Sequence, residues 1–194
     1  MDDFSDWFRL DADGRIEAYK CGSCDDWHEG VPLCFHAEAP AQVGLVPDDE
    51  WPQRVTLGSD QCILELDDGT HYFMRGLLRI PIRGREDFVE HGVWVSLSEA
   101  SYERAGELWE TVGRESEPPY FGWLCTEVPG YTDTMLLKTR VFTQPVGARP
   151  LLEVFEPEQH PLVVDARTGI DEARLPRLVF AGLGLAEDGA ADGA

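Results

Sequence analysis

The residues best suited to chemistry lie near the start of the chain, where Cys21 and Cys24 form a Cys-x-x-Cys pair followed by His28. A tight turn can aim two thiolates at this spacing at one Zn²⁺ ion, and the amides of the turn hydrogen-bond to the sulfurs. His28 is close enough in sequence to join them. The spacing predicts a structural zinc site, which requires four ligands.

The fourth ligand is left open by the sequence among Cys34, His36 and Cys62. We favour Cys62, because it opens a predicted strand whose end can close against the turn. Two other interpretations compete with zinc. In the first, the cysteines are simply small apolar residues of the core. In the second, Cys21 and Cys24 form a thioredoxin-like redox pair, which requires a βαβ context that the sequence lacks.

The elements that would position these residues are mainly strands. Residues 62–66 and 72–82 flank an Asp-Asp-Gly-Thr turn and predict a β-hairpin, with Gly76 marking a bulge in the second strand. Alternation of apolar and polar residues predicts a strand at 93–97. Further strands are predicted at 120–127, 134–143 and 150–156.

One helix is strongly indicated, at about residues 98–112, with Ser96 or Ser98 as its N-cap and Gly113 at its end. A shorter C-terminal helix is expected at about 171–182 if Pro176 occupies its first turn. Many strands and two helices without regular alternation predict an α+β fold with a mainly antiparallel sheet. A zinc-knuckle-like segment at 21–36 would precede it.

The chain divides into three segments by composition. An acidic and aromatic N-terminal extension covers residues 1–18, and a single globular domain is expected over 19–182. Residues 183–194 are an acidic tail rich in Gly and Ala. A chain of 194 residues is long enough for one domain with a substantial core.

Charge and composition exclude several classes of partner. The 16 basic and 37 acidic residues give a net charge of −21, which repels nucleic acids and anionic membranes and favours a basic protein as partner. The alternative, which we favour, is that the acidity serves solubility alone. No apolar run approaches the ~20 residues of a membrane helix, and the acidic start does not resemble a signal peptide. An odd cysteine count fits a reducing compartment, so a cytoplasmic location is expected.

A short basic stretch interrupts this acidic sequence. Arg75 and Arg79 would lie on one face of a strand, where two guanidinium groups can converge on a carboxylate or a phosphate. Arg83 and Arg85 follow in the same stretch. The alternative, which we favour, is that all four arginines form ion pairs with neighbouring acidic residues.

Five aromatic residues in the sequence suggest, as an alternative, that the protein has a ligand pocket. They are Trp94, Trp109, Tyr120, Phe121 and Trp123, which can line an apolar pocket for a small, partly apolar ligand or simply form core. Core is the favoured interpretation. If a pocket exists, the candidate catalytic groups around it are Tyr131, Asp133, Arg149 and His160, the last in a predicted loop.

Several motifs resemble those of a bacterial family of uncharacterised proteins, catalogued as a domain of unknown function. They are Cys21-x-x-Cys24-x-x-x-His28-x-Gly-x-Pro32, Ser59-Asp-Gln-Cys62, Gly92-Val-Trp-Val-Ser-Leu-Ser98, Pro118-Pro-Tyr-Phe-Gly-Trp-Leu124, Pro129-Gly-Tyr131 to Lys138, Arg149-Pro150 and His160-Pro-Leu162. The resemblance spans about residues 19–180 and implies no reaction or catalytic residue. It supports Cys62 as a ligand, and it ranks Cys34 and His36 lower because they lie outside its motifs.

Two main functions follow as hypotheses, besides zinc or redox sensing, which requires an exchangeable metal site. The first is a binding or interaction module that is stabilised by structural zinc and engages a basic partner through its acidic surface. The alternative is an enzyme that performs acid–base chemistry on a small molecule, of the cyclase, dehydratase or hydrolase type, with an aromatic-lined pocket.

Overall fold

The computed structural model describes residues 6–21 and 24–185, which form an α+β fold with two sheets. The strands in these residues are β1 (Phe8–Leu10), β2 (Ile16–Lys20), β3 (Trp27–Glu29), β4 (Cys34–His36), β5 (Val55–Leu57), β6 (Gln61–Leu66), β7 (Gly69–Pro81), β8 (Phe88–Leu97), β9 (Tyr120–Leu124), β10 (Lys138–Phe142) and β11 (Leu151–Glu156). The helices are α1 (Trp51–Arg54), α2 (Glu99–Glu107), α3 (Pro161–Thr168) and α4 (Leu175–Gly182).

Five strands close into a barrel in the order β7–β8–β9–β10–β11. The ring closes because β7 pairs with β8 along one edge and with β11 along the other. The β7–β11 pairing is parallel and the other four are antiparallel. Outside the barrel, β4 pairs with β8 in parallel. Strand β6 pairs with β7, and β5 pairs with β6, both antiparallel. Pairing is therefore mainly antiparallel, as predicted, but the closure was not predicted.

The predicted hairpin is formed by β6 and β7, in register from Leu66 opposite Gly69 onward. The predicted bulge at Gly76 is wrong, because β7 continues in regular register with β8 through that position. A Cβ atom at Gly76 would lie 2.7 Å from Cγ of Leu152 in β11. The glycine is therefore explained by the close approach of a barrel side chain.

The apolar core has two parts on opposite faces of β7 and β8. The larger part joins the barrel strands to α3 and α4 and includes Leu78 and Val93. The smaller part covers the other face. It consists of Val43, Val46, Cys62, Leu64, Phe73, Trp94 and Cys125.

Residues 6–18 of the predicted N-terminal extension contribute to the fold. Strands β1, β2 and β3 form a separate antiparallel sheet, so the boundary expected at residue 18 falls inside β2. Phe8 is buried in the larger core, and its ring centroid lies 6.4 Å from that of Phe180 in α4. Most of the predicted tail, residues 186–194, lies outside the described residues.

The helices confirm part of the prediction. Ser98 is the N-cap of α2, where its side chain accepts a hydrogen bond from Ser101 N, but the helix ends at Glu107 and turns follow it. Helix α4 begins with Pro176 in its first turn, as expected. Helix α3 was not predicted, and His160, which we placed in a loop, is its N-cap.

Among the helices described here, none combines the length and apolar character needed to cross a membrane.

Candidate metal centre

The Cys-x-x-Cys pair lies on the turn that connects β2 to β3. Cys21 N donates a hydrogen bond to Asp26 O over 2.9 Å, and Asp25 N donates to Cys21 O over 3.0 Å. Asp25 has a left-handed φ of 60°, a conformation that Asp and Asn tolerate better than most residues. This local hydrogen bonding brings the ends of the turn close together.

Cys21, Cys24 and His28 converge on this turn. Their potential ligand atoms all lie within 4.8 Å of one another, and Cys24 Sγ is 3.1 Å from His28 Nε2. Cys21 is half-buried, whereas Cys24 and His28 are exposed. The His28 ring stacks on Tyr19 of β2 with centroids 5.4 Å apart, which orients the imidazole.

This donor set suits zinc. Two thiolates and an imidazole are the ligands that Zn²⁺ prefers. Tetrahedral zinc separates a bound sulfur from a bound nitrogen by roughly 3.6 Å, given the usual bond lengths. The Cys24–His28 separation of 3.1 Å is close to that value, so a small adjustment of the turn would admit the ion.

Cys62, the favoured fourth ligand, is not part of this group. Its side chain is fully buried in the smaller core, in register with Phe73 on the neighbouring strand. Burial raises the pKa of the Cys62 thiol to about 11, so the thiol stays protonated. The expectation fails because Cys62 faces the core of the large sheet, whereas the group lies on a turn of the small sheet.

The other two candidates also lie elsewhere. Cys34 is exposed, with its Sγ 3.8 Å from a carboxylate oxygen of Glu90. His36 is exposed on β4 opposite Gly92. Within residues 6–21 and 24–185, the group has three protein ligands, and a bound metal would keep one coordination position for another donor. The candidate metal group therefore covers residues 21–28, not the whole of the predicted segment 21–36.

The sequence profile of a family described as "Uncharacterized protein conserved in bacteria (DUF2199)" matches residues 20–170. The chain belongs to this family. Its matched span contains Cys21, Cys24 and His28 as well as the whole barrel, while β1 and α4 lie outside it. The resemblance found from the sequence motifs is thereby confirmed. Neither the curated proteins nor the solved structures contain a match to this chain.

Two of the candidate catalytic residues instead hold α3 in place. The Tyr131 hydroxyl donates a 2.8 Å hydrogen bond to Asp165 Oδ2, and burial together with this bond raises the pKa of Tyr131. Asp165 also forms an ion pair with Arg174 at 2.8 Å. His160 Nδ1 accepts from Leu162 N, and its Nε2 lies 3.0 Å from Thr132 O. Both ring nitrogens therefore have partners.

The remaining candidates lie apart from these contacts. Asp133 is exposed in a left-handed conformation with φ 54°. Arg149 contacts the carboxylate of Asp60. These four residues therefore do not share one hydrogen-bonded site in the structure.

The aromatic concentration is divided between core and surface. Trp94 is fully buried, whereas Phe121 and Trp123 are 48% and 40% exposed on the outside of the barrel. Phe121 packs edge-on against Trp123 at 5.3 Å. A groove of about 540 Å³ lies between β10, β11 and α3. None of the five predicted aromatic residues lines it, and its lining includes Arg79, Arg140 and Arg167.

Arg114 is a structurally important residue that sequence reasoning missed. It is only 5% exposed, and its guanidinium group donates to four backbone carbonyls at 2.6–3.3 Å, those of Trp109, Gln144, Pro145 and Ala148. It thereby ties the end of the α2 region to the loop that precedes β11. Because all four acceptors are backbone atoms, no residue type in the sequence signals them.

Proposed function

We propose that this protein is a zinc-stabilised binding module, in which Cys21, Cys24 and His28 hold one Zn²⁺ ion and an acidic surface engages a basic protein. The observation that carries the proposal is the convergence of two thiols and an imidazole within 4.8 Å on the β2–β3 turn. Zinc is the metal that this donor set selects most often in proteins.

The small sheet explains why a metal would be needed. Its strands are three, five and three residues long, and such short pairings are marginally stable without additional packing. Phe8 anchors one end of the sheet in the main core. Phe8 pairs with Tyr19, and Tyr19 pairs with His28, so the β2–β3 turn lies at this same end of the sheet. Zinc bound at the turn would cross-link β2 to β3, and its binding free energy would add to the stability of the sheet.

The described residues supply three ligands for a metal, and this supports a role in binding. A purely structural zinc site has four protein ligands, whereas three ligands leave one position for water or for an atom of another molecule. Cys24 and His28 are exposed, so a partner can approach that position. The proposed zinc therefore stabilises the turn and also presents a contact point.

Charge supports a basic partner. Residues 1–50 carry 13 acidic and three basic side chains, and a field of one sign accelerates association with a partner of the opposite sign. Asp25 on the turn is already paired with Lys20 at 2.7 Å. Asp26 and Glu29 beside it are exposed. A cytoplasmic location is part of the proposal, since metal-binding thiols must stay reduced.

Metal content and thermal stability test the zinc site. We expect about one zinc per chain by mass spectrometry of untagged protein, and a lower melting temperature after chelation. Cys24→Ser should lose the metal and the response to chelator. Cys34→Ser is the matched control, because Cys34 is equally exposed but outside the group, and it should keep both.

Two results would contradict the zinc site. One is metal-free protein that does not take up added zinc and does not respond to chelator. The other is equal loss of metal in Cys24→Ser and Cys34→Ser. The binding role is tested separately with a lysine-rich peptide, whose affinity should fall with added salt and should be lower for Cys24→Ser than for Cys34→Ser.

A further inference from the structure

The groove between β10, β11 and α3 has the size and the mixed lining of a small-ligand site. Its volume is about 540 Å³, and small-molecule sites usually enclose roughly 300–1,000 Å³. Part of the lining is apolar and comes from β11 and α3, including Phe155, Val163 and Ala166. The rest is charged, with three arginines and three glutamates, namely Arg79, Arg140, Arg167, Glu153, Glu156 and Glu158. The groove therefore combines an apolar surface with charges of both signs.

Four of these six charged residues already form ion pairs with residues of the large sheet. The pairs are Arg79 with Glu90 at 2.9 Å, Arg140 with Glu153 at 3.0 Å, and Glu156 with Lys138. Arg140 also lies over the Phe155 ring, with its Cζ 4.2 Å from the ring centroid. Arg75, which the sequence placed on the same face as Arg79, does not line the groove. The paired groups shape the groove but have little free charge for a ligand.

The other two charged residues of the groove are Arg167 and Glu158. Both side chains are exposed, and within residues 6–21 and 24–185 neither forms an ion pair within 4.0 Å or a side-chain hydrogen bond. They therefore do not pair with each other, although they have opposite charges and line the same groove. The dipole of α3 favours an acid near its start and a base near its end. It does not explain why both residues line one groove.

These two charges lie near opposite ends of α3. Arg167 is in the last turn of the helix, on the same face as Val163 and Ala166, because residues three and four positions apart share a helix face. Glu158 precedes the N-cap His160 by two residues. The helix rises about 10 Å between the N-cap and Arg167, at 1.5 Å for each residue. A ligand that meets both charges must therefore carry opposite charges at its two ends, with apolar groups between them.

A ligand with charges of one sign fits this lining poorly. A simple anion at Arg167 would leave Glu158 without a partner and would enter the field of a strongly acidic protein. A simple cation at Glu158 would leave Arg167 without one. A ligand with one charge of each sign satisfies both residues, and the guanidinium group of Arg167 can hold a carboxylate through two parallel hydrogen bonds.

We propose that this groove binds a short peptide with free termini, whose ammonium group meets Glu158 and whose carboxylate meets Arg167. About three extended residues span 10 Å, which matches the rise of α3 between the two charges. Apolar side chains of the peptide pack on Phe155 and Val163. The groove lies on the barrel, whereas the proposed zinc site lies on the small sheet, so this binding goes beyond the proposed function and either can fail without the other.

Calorimetry with the tripeptide alanyl-leucyl-alanine tests this proposal. We expect saturable binding to the unmodified protein at constant ionic strength. Acetylation of the N-terminus of the probe removes its positive charge, and amidation of its C-terminus removes its negative charge. Each modification should weaken binding by about fivefold, the effect of one exposed ion pair in a favourable geometry.

Two variants assign each terminus of the probe to its residue. Arg167→Gln should weaken binding of the unblocked tripeptide by about fivefold and should make binding insensitive to amidation, while acetylation still weakens it. Glu158→Gln should show the reverse. Arg177→Gln is the matched control, because Arg177 is also an exposed arginine on a helix but lies on α4, outside the groove. It should bind all three forms of the probe as the unmodified protein does.

The three substitutions replace exposed side chains, so the melting temperatures of the variants should equal that of the unmodified protein. Binding should also be the same with and without chelator. Absence of saturable binding of the tripeptide to the unmodified protein overturns the proposal. Equal sensitivity to amidation in Arg167→Gln and in the unmodified protein also overturns it, as does loss of binding in chelator, which would place the probe at the metal group.

Discussion

Nε2 of His28 lies 3.1 Å from Sγ of Cys24, although the strand that carries His28 is only three residues long. The contact is produced locally, by the hydrogen bonds between Cys21 and the Asp25–Asp26 segment and by the stacking of His28 on Tyr19. The ligands are therefore brought together before any metal binds, and little conformational entropy would be lost on binding.

The variant Cys62→Ala tests whether Cys62 is independent of the Cys21, Cys24 and His28 group. Cys62→Ala should leave the zinc content unchanged, because Cys62 lies in the smaller core and outside the group. The free energy of unfolding should fall by about 1 kcal/mol, the cost of losing one buried apolar atom and its contacts. Metal analysis and urea unfolding check the two parts. Zinc loss comparable to that of Cys24→Ser would restore Cys62 as a ligand.

His91 should make stability depend on pH. It is 2% exposed, its Nε2 has no hydrogen-bond partner among the residues that the structure describes, and burial lowers its pKa to about 4. In the unfolded chain its pKa is about 6.5, so the unfolded state binds the proton first as the pH falls. Its contribution to stability is present above about pH 6.5 and is lost progressively toward pH 4.

The comparison that isolates this effect is His91→Leu. Between about pH 7 and about pH 5, the unmodified protein should lose roughly 2 kcal/mol more unfolding free energy than the variant. Urea unfolding at both pH values measures the difference, with chelator present so that proton competition at the thiols does not contribute. Equal losses in the two proteins would show that His91 is solvated or has a partner.

The stability of the protein should depend on the shape of the Arg114 side chain as well as on its charge. Arg114→Lys cannot reproduce the planar group that reaches four carbonyls, and the unfolding free energy should fall by about 2 kcal/mol or more. Arg104→Lys is the control, because Arg104 is exposed and bound to Glu117, and changes at exposed ion pairs have little effect on stability. Similar losses in both variants would contradict the role assigned to Arg114.

Local features were predictable because their causes are local. Ser98 caps α2 through a hydrogen bond that spans three residues, and the Asp-Asp-Gly-Thr turn joins two strands that pair immediately. Helix α3 was missed because its start depends on His160 as N-cap, where the imidazole replaces the usual hydroxyl or carboxylate. The length of α2 was overestimated because the apolar spacing continues into the turns after Glu107.

Residue types and short spacings in the sequence determined three of the candidate metal ligands, Cys21, Cys24 and His28, as well as the acidic charge, the hairpin and the family. The tertiary structure decided that Cys62 faces a core and that five strands close into a barrel. It also decided that Arg75, unlike Arg79, Arg83 and Arg85, forms no ion pair within 4.0 Å in the described part of the chain. Those outcomes depend on which distant segments meet. Asp60 and Gly92, for example, reach Arg75 only because β5–β6 and β8 flank β7, and no local pattern encodes that arrangement.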